Sequence, residues 1–457
     1  MNLLLHGATV VVSLDPPVVE RVDVHVEGDR IAAVGPALAV DAPTLDLTGC
    51  LLFPGNVNAH THAYSALARG MPYKLSSPTR FLEILQRVWW RLDRALDPFT
   101  IRASALVAGR EALLAGTTTL VDHHASPNAI GGSLDLLAEA FADLGIRSVL
   151  AYEVTDRDGP ERAAAGIEEN GRFLRQVAEG GLELARGLVG AHASFTLSDE
   201  TLAACADLAG DANTGLHIHV AEDALDQADA LARTGRRVVD RLVDARALDH
   251  RSLVAHAVHI DPAEADLLRA EHVTVVHNPR SNMNNGVGRP PLAGLGERVA
   301  LGTDGIGSDL WEEGRAAYFR RREEHLLTRP EWTLRRLAVG AGLVGRIFAE
   351  PLLGRISAGA PADLVVLEYA PPTPLDAASL AAHWIFGMSA AHVRDVVVGG
   401  ELVVRDRRLI RFDEAELNAL AMEAAKRLWA RLDEIDAHPF APARTLATPA
   451  GGSRWPT

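Results

Sequence analysis

Cysteine is scarce in this chain. Cys50 and Cys205 are the only two, too few for a disulfide framework or a cysteine-based zinc site. Aromatic residues make up only 5%. No apolar run approaches the ~20 residues that span a bilayer, so a membrane protein is not expected. No basic, apolar leader opens the sequence, which makes the cytoplasm the expected compartment. Positive charge is also short. The formal net charge is −15, without the clustered cations that a nucleic-acid partner requires. Lysine occurs only at Lys74 and Lys426, against 43 arginines. What remains is an ordinary globular composition, 48% apolar over 457 residues, enough for roughly two to four domains.

Residues 1–52 read as short strands at 3–5, 9–12, 22–26 and 31–34, broken by turns at Gly7, Asp15-Pro16-Pro17 and Glu27-Gly28-Asp29. Strand patterns return at 362–367 and 393–398, with a hairpin at Gly399-Gly400. The two stretches predict a small β-sandwich completed from both termini, residues 1–52 and 353–412. Between them, eight apolar runs (55–62, 117–123, 149–154, 187–193, 215–221, 253–259, 273–278 and 299–304) alternate with amphipathic segments. In one such segment Leu134, Leu137, Phe141 and Leu144 recur at helical spacing. Buried runs alternating with helices imply a parallel sheet, and eight units fit an α/β fold of the (β/α)8 TIM-barrel type over 53–352. A doubly wound sheet is the alternative, but no Gly-rich dinucleotide loop follows an early strand. The long connection 63–100, carrying Tyr64, Trp89 and Trp90, reads as a lid or substrate wall, or else as an extra helical cap. Residues 413–437 read as a terminal amphipathic helix. The segment 438–457, rich in Pro, Ala, Gly and Thr, reads as a mobile tail.

The polar residues inside these runs carry the chemistry. Strand ends should merge into loops, yet here they hold His60, His62, His192, His217, His219, Glu222, His256, His259, His277 and Asp304. His60 and His62 are two residues apart, so their side chains share a strand face. Active sites of such barrels lie at the C-terminal strand ends. Buried ionisable groups in this number demand a compensating cation, and imidazole with carboxylate suits Zn²⁺ or Fe²⁺.

With these residues in view, the sequence resembles the metal-dependent amidohydrolase superfamily, in its triazine and purine aminohydrolase branch, and within that the SsnA aminohydrolase group. The motifs are Pro54-Gly55 with His60-x-His62, Trp89-Trp90-Arg91-Leu92-Asp93, Asp122-His123-His124-Ala125-Ser126, Thr155-Asp156-Arg157 and His217-x-His219-x-x-Glu222-Asp223. Val254-Ala255-His256, His277-Asn278, Arg280-Ser281-Asn282-Met283-Asn284-Asn285 and Gly302-Thr303-Asp304-Gly305 complete the set. The resemblance implies one divalent metal ion per subunit, Zn with Fe or Mn as alternatives, on His60, His62, His219 and Asp304. It implies Glu222 as proton shuttle, His256 on the attacking water or the intermediate, and Asp304 as acceptor of the water's proton. His217 is expected to pack behind the ligands. His192 is the implied contact to the substrate ring, with His123, Arg157, Asn282 and Trp89 as further substrate candidates.

Two-metal members of the superfamily usually bridge their ions with a carboxylated lysine. Neither Lys74 nor Lys426 lies on a middle strand, so one metal is expected, with Glu153 as the residue that could stand in as a bridge. The expected reaction is hydrolytic deamination of a purine-, pterin- or triazine-like heterocycle, releasing ammonia. The alternatives are opening of a cyclic amide or imide, or chloride displacement, by the same site. A non-catalytic assembly or regulatory protein is a third reading, disfavoured because all four ligands are retained. The expected partner is a small-molecule heterocycle, and analogy to relatives implies a homodimer or larger homo-oligomer. Enzymes that deaminate flipped bases need cysteine-ligated zinc, which this chain cannot supply.

Overall fold

Residues 2–443 are described in a computed structural model of the chain. Each of the eight apolar runs is a strand: Asn56–Thr61, Thr117–His124, Arg147–Tyr152, Val189–Ala193, Leu216–Val220, Leu253–His256, Thr274–His277 and Val299–Leu301. They pair in parallel and in chain order within two sheets. The first three join a short strand, Ala185–Gly187, and the last five form the second sheet. Backbone hydrogen bonds also cross between the sheets at both ends of this order. Val154 N donates to Gly190 O (3.2 Å) and His192 N to Val154 O (2.9 Å), while Thr303 N donates to His60 O (2.9 Å).

Valine and alanine dominate the space between the strands: Val57, Val121, Val149, Val276 and Ala300 are all at most 3% exposed and share one apolar cluster. Small β-branched residues suit strands covered on both faces. Outside the strands, Leu134, Leu137, Phe141 and Leu144 of helix Ser133–Leu144 are buried as their spacing predicts, and Gly145 ends the helix in the left-handed conformation (φ 78°).

The chain ends build two further sheets. One contains Asn2–His6, Asp23–Glu27, Arg30–Gly35 and Thr44–Asp46. The other has seven strands, and at its middle Leu51–Pro54 pairs antiparallel with Leu364–Leu367, joining both termini. Leu5, Val24 and Ile31 of the first meet Val10, Leu52 and Val366 of the second in one cluster. A buried ion pair ties this region to the parallel strands. Arg147 donates twice to Asp363 (2.8 and 3.0 Å), and Asp363 also accepts from Gly399 N (2.7 Å). Removing one partner strands a buried charge, so Asp363→Ala should cost about 3–5 kcal/mol. Urea unfolding measures this; a loss no larger than that of a surface substitution would show that the pair contributes nothing.

Within the long connection after the first strand, Phe81–Ile84 is helical, Leu85–Trp89 is a π-turn and Trp90–Ala95 is helical again. The terminal helix spans Glu414–Asp433. Residues 438–443 correct the composition reading of a mobile tail. His438 is 2% exposed and Ala443 N donates to Asp229 Oδ1 at 2.8 Å. Composition averages over the segment and does not see the anchoring side chains. The remainder of that tail, 444–457, lies outside the described residues. No helix among the described residues is long and apolar enough to cross a membrane.

Candidate metal centre

The C-terminal strand ends deliver four imidazoles and a carboxylate to one point. His60 lies on the first strand and His62 directly follows it, His219 lies on the fifth, His256 ends the sixth and Asp304 follows the eighth. His256 (φ 73°) and Asp304 (φ 54°) sit in the left-handed region, which costs roughly 1–2 kcal/mol per non-glycine residue and clusters at functional sites. Close backbone approach is built in beside them. A Cβ on Gly302 would lie 2.6 Å from Asn278 Oδ1 and 2.8 Å from His60 N.

Every Nδ1 of the four rings faces away from the centre and is engaged. His62 Nδ1 meets His123 O (2.6 Å), His219 Nδ1 meets His192 O (2.9 Å), His256 Nδ1 meets Asn282 Oδ1 (2.7 Å) and His60 Nδ1 meets His217 Nε2 (2.8 Å). Carbonyl oxygens accept only, so Nδ1 of His62, His219 and, with the Asn282 amide oxygen facing it, His256 carries the proton. In the neutral, ligating form of each ring the Nε2 lone pair then points inward. His62 Nε2 lies 3.2 Å from His219 Nε2 and 3.0 Å from Asp304 Oδ1; His60 Nε2 lies 3.5 Å from the same oxygen. His60 Nε2 and His256 Nε2 are buried without a hydrogen-bond partner. Lone pairs facing one another beside a carboxylate need a shared cation, and this N/O donor set fits a divalent ion such as Zn²⁺. Ligand atoms of His60, His219, His256 and Asp304 lie within 4.8 Å of one another.

The charges sort by surroundings. Burial pushes His60 down to about 3 against the pull of Asp304. His62, in closer contact with Asp304, is instead raised to about 9 despite its burial. The two neighbours differ because Glu153 and Asp122 add their negative charge at His62, whereas His62 and His256 repel a charge on His60. Burial works to raise Asp304, but His60 and His62 hold it well below the carboxylate range. Glu222 goes the other way: burial lifts it to about 7, against the nearby His256. Two acids with opposed proton affinities now face one site.

Comparison with known proteins identifies the family. The model of the amidohydrolase family matches residues 51–403. The chain belongs to the amidohydrolase family. This amidohydrolase is 33% identical to a 5-methylthioadenosine/S-adenosylhomocysteine deaminase of Syntrophobacter fumaroxidans, over 91% of this chain and 95% of the relative. It is 31% identical to a 5'-deoxyadenosine deaminase of Methanopyrus kandleri, over 83% and 86%. Among solved structures it is similar to a zinc-bound adenosine deaminase from Xanthomonas campestris (TM-score 0.83, 26% identity, 94% and 99% covered). The zinc complex of an atrazine chlorohydrolase from Arthrobacter aurescens shares the fold (TM-score 0.80, 24% identity, 93% and 100% covered). The family and its deaminase relatives make the chain a hydrolase of carbon–nitrogen bonds in cyclic amidines. These likenesses carry the branch and do not reach the SsnA group within it.

Around the centre, the amidohydrolase separates the sequence-predicted residues into two sets. Trp89, His192 and Glu222 line one pocket with His62, His219 and Asp304, walled by Phe81, Leu85 and Phe195. His123, Arg157 and Asn282 do not line it. His123 is buried beneath, stacked on His217 with ring centroids 4.3 Å apart. The Arg157 guanidinium is spent on ion pairs with Asp93, Glu153 and Asp158, and Asn282 holds His256. Trp90, unlike Trp89, is buried, at 1% exposed. Two residues to which the sequence assigns no role also reach the acids. Ser281 donates to Asp304 Oδ2, and Asn285 Nδ2 donates to Glu222 Oε1 (3.1 Å). Both lie on helix Pro279–Asn285, four residues apart, and that spacing on one helix face was the available signal.

Proposed function

We propose that this amidohydrolase is a mononuclear aminohydrolase that removes the amino group of an adenosine-like purine as ammonia, with its eight parallel strands closed as one (β/α)8 barrel over 53–352 and the sandwich halves at 1–52 and 353–412. His60, His62, His219 and Asp304 would hold the ion. When bound, a divalent metal supplies hydroxide at neutral pH by lowering the pKa of water. Asp304 stays ionised and accepts the water's proton. Glu222, whose Oε1 is fixed by Asn285, carries a proton near neutrality and delivers it to the ring nitrogen beside the attacked carbon. The proton taken up by Asp304 then passes to the amino group, the C–N bond breaks to release ammonia, and Glu222 regains its proton from the new hydroxyl as the carbonyl forms. His256, held by Asn282 with Nε2 3.6 Å from Glu222 Oε2, orients the attacking oxygen and stabilises the intermediate. His192 and Trp89 contact the heterocycle.

One ion is favoured because His62 and His219 each have a single free nitrogen, already committed to the centre. Glu153, the alternative bridge, is engaged by Arg157 (3.1 Å) and faces His123 (3.4 Å). Lys74 pairs with Asp433 and Lys426 is exposed on the terminal helix.

The observation that carries the reading is Glu222 beside the imidazole–carboxylate centre in an aromatic-walled pocket. The relatives' names point to nucleosides within the purines. Zinc-loaded protein should release ammonia from 5'-deoxyadenosine, 5-methylthioadenosine or adenosine, with loss of the adenine absorbance. Ring opening of a cyclic amide or chloride release from a triazine, with no ammonia from any purine or pterin, would overturn it.

A further inference from the structure

The C-terminal end of the described chain reaches the pocket from behind. Arg91, on the long connection, donates to Ile435 O (2.6 Å) and Leu432 O (2.8 Å) as the terminal helix ends. The next residues cross the π-turn Leu85–Trp89. His438 N donates to Gln86 O (2.8 Å), and Gln86 Nε2 returns a bond to Phe440 O (2.8 Å). The Phe440 ring sits 5.7 Å from Trp90 and 6.4 Å from Phe195. Ala443 N is held by Asp229 of helix Ala224–Thr234, which comes after the strand bearing His219.

A π-turn adds a residue to a helical turn and re-aims the side chains beyond it, a device frequent at functional sites. Here it carries Trp89, whose ring lies so near the centre that a Cβ on Gly305 would come within 2.8 Å of it. Gly305 directly follows the ligand Asp304. The reciprocal bonds on Gln86 therefore fix the turn that aims Trp89.

We propose that residues 438–443 are a strap that sets this π-turn and thereby positions Trp89 at the metal centre, making the C-terminal segment a determinant of substrate affinity. The affinity part rests on the aminohydrolase reading; the positioning part does not. Phe440 is the positioning residue to test, in the full-length metal-loaded chain. In Phe440→Ala, amide exchange over residues 85–91 should quicken about tenfold while strand Leu216–Val220 keeps its protection. Metal content should stay unchanged, and KM for the amine substrate should rise about tenfold with kcat nearly constant. Phe440→Tyr, which keeps the ring, should restore both, and Gln86→Ala should reproduce the alanine result. Unchanged exchange at 85–91 would overturn the strap; faster exchange without a shift in KM, or a fall in kcat at constant KM, would overturn its role in substrate affinity. If the parent chain deaminates no adenosine-like compound, the aminohydrolase reading fails, and the exchange measurement still upholds or overturns the strap.

Discussion

Glu222→Gln should leave the metal stoichiometry of the purified protein untouched and lower kcat on a deaminated purine by about 10²–10⁴, the range of a lost general acid–base. Glutamine keeps the side chain's length and can still face the Asn285 amide, so the pocket keeps its shape. What it cannot do is carry a proton that leaves for a ring nitrogen. Burial holds the Glu222 carboxyl up to about 7, so a proton is present when the substrate needs it. Elemental analysis beside steady-state kinetics checks both halves. Turnover at the parent rate would remove Glu222 from the chemistry, whatever else the site does.

Asp304→Ala should act at an earlier stage, by emptying the centre. Asp304 supplies the only carboxylate whose contacts, among the described residues, reach His60, His62 and His256 together, at 3.5, 3.0 and 3.8 Å. Without it, the inward imidazoles lose the negative charge that offsets a dication. The variant should contain little metal and no measurable activity. Stability supplies an independent reading. A ligand at a thousand times its Kd stabilises its protein by about 4 kcal/mol, so a chelator should lower the Tm of the parent chain clearly and that of Asp304→Ala hardly at all. A variant that retains stoichiometric metal and responds to chelation like the parent would exclude Asp304 as a ligand.

How far the sequence reached depends on what its signals encode. Strand periodicity is local, so the eight runs emerged correctly, and His60 with His62 shared a face because alternate residues must. The behaviour of His217 was also legible: it packs behind His60 by a direct ring contact. Arg157 was harder. Its position at a strand end suits a substrate contact or a structural bond alike, and its partner Asp93 lies 64 residues earlier, beyond any local pattern. Asn282 presented the same difficulty, since its bond to His256 spans 26 residues. The packed segment 438–443 was missed for a different reason. Proline, alanine and glycine signal chain freedom on average, while two aromatic rings and a pair of reciprocal bonds decide the outcome.

The pairing of Leu51–Pro54 with Leu364–Leu367 has a consequence for biosynthesis. One side of the early strand can dock on Thr9–Leu14 at once. Its other side waits for a partner roughly 310 residues downstream, a delay of roughly 15–60 seconds at the ribosome's pace. Throughout that interval the nascent polypeptide presents a bare, apolar Leu-Leu-Phe margin, the kind of edge that recruits the wrong neighbour. Yield in a foreign host should therefore depend on translation speed and chaperone supply more than on the finished protein's resistance to unfolding.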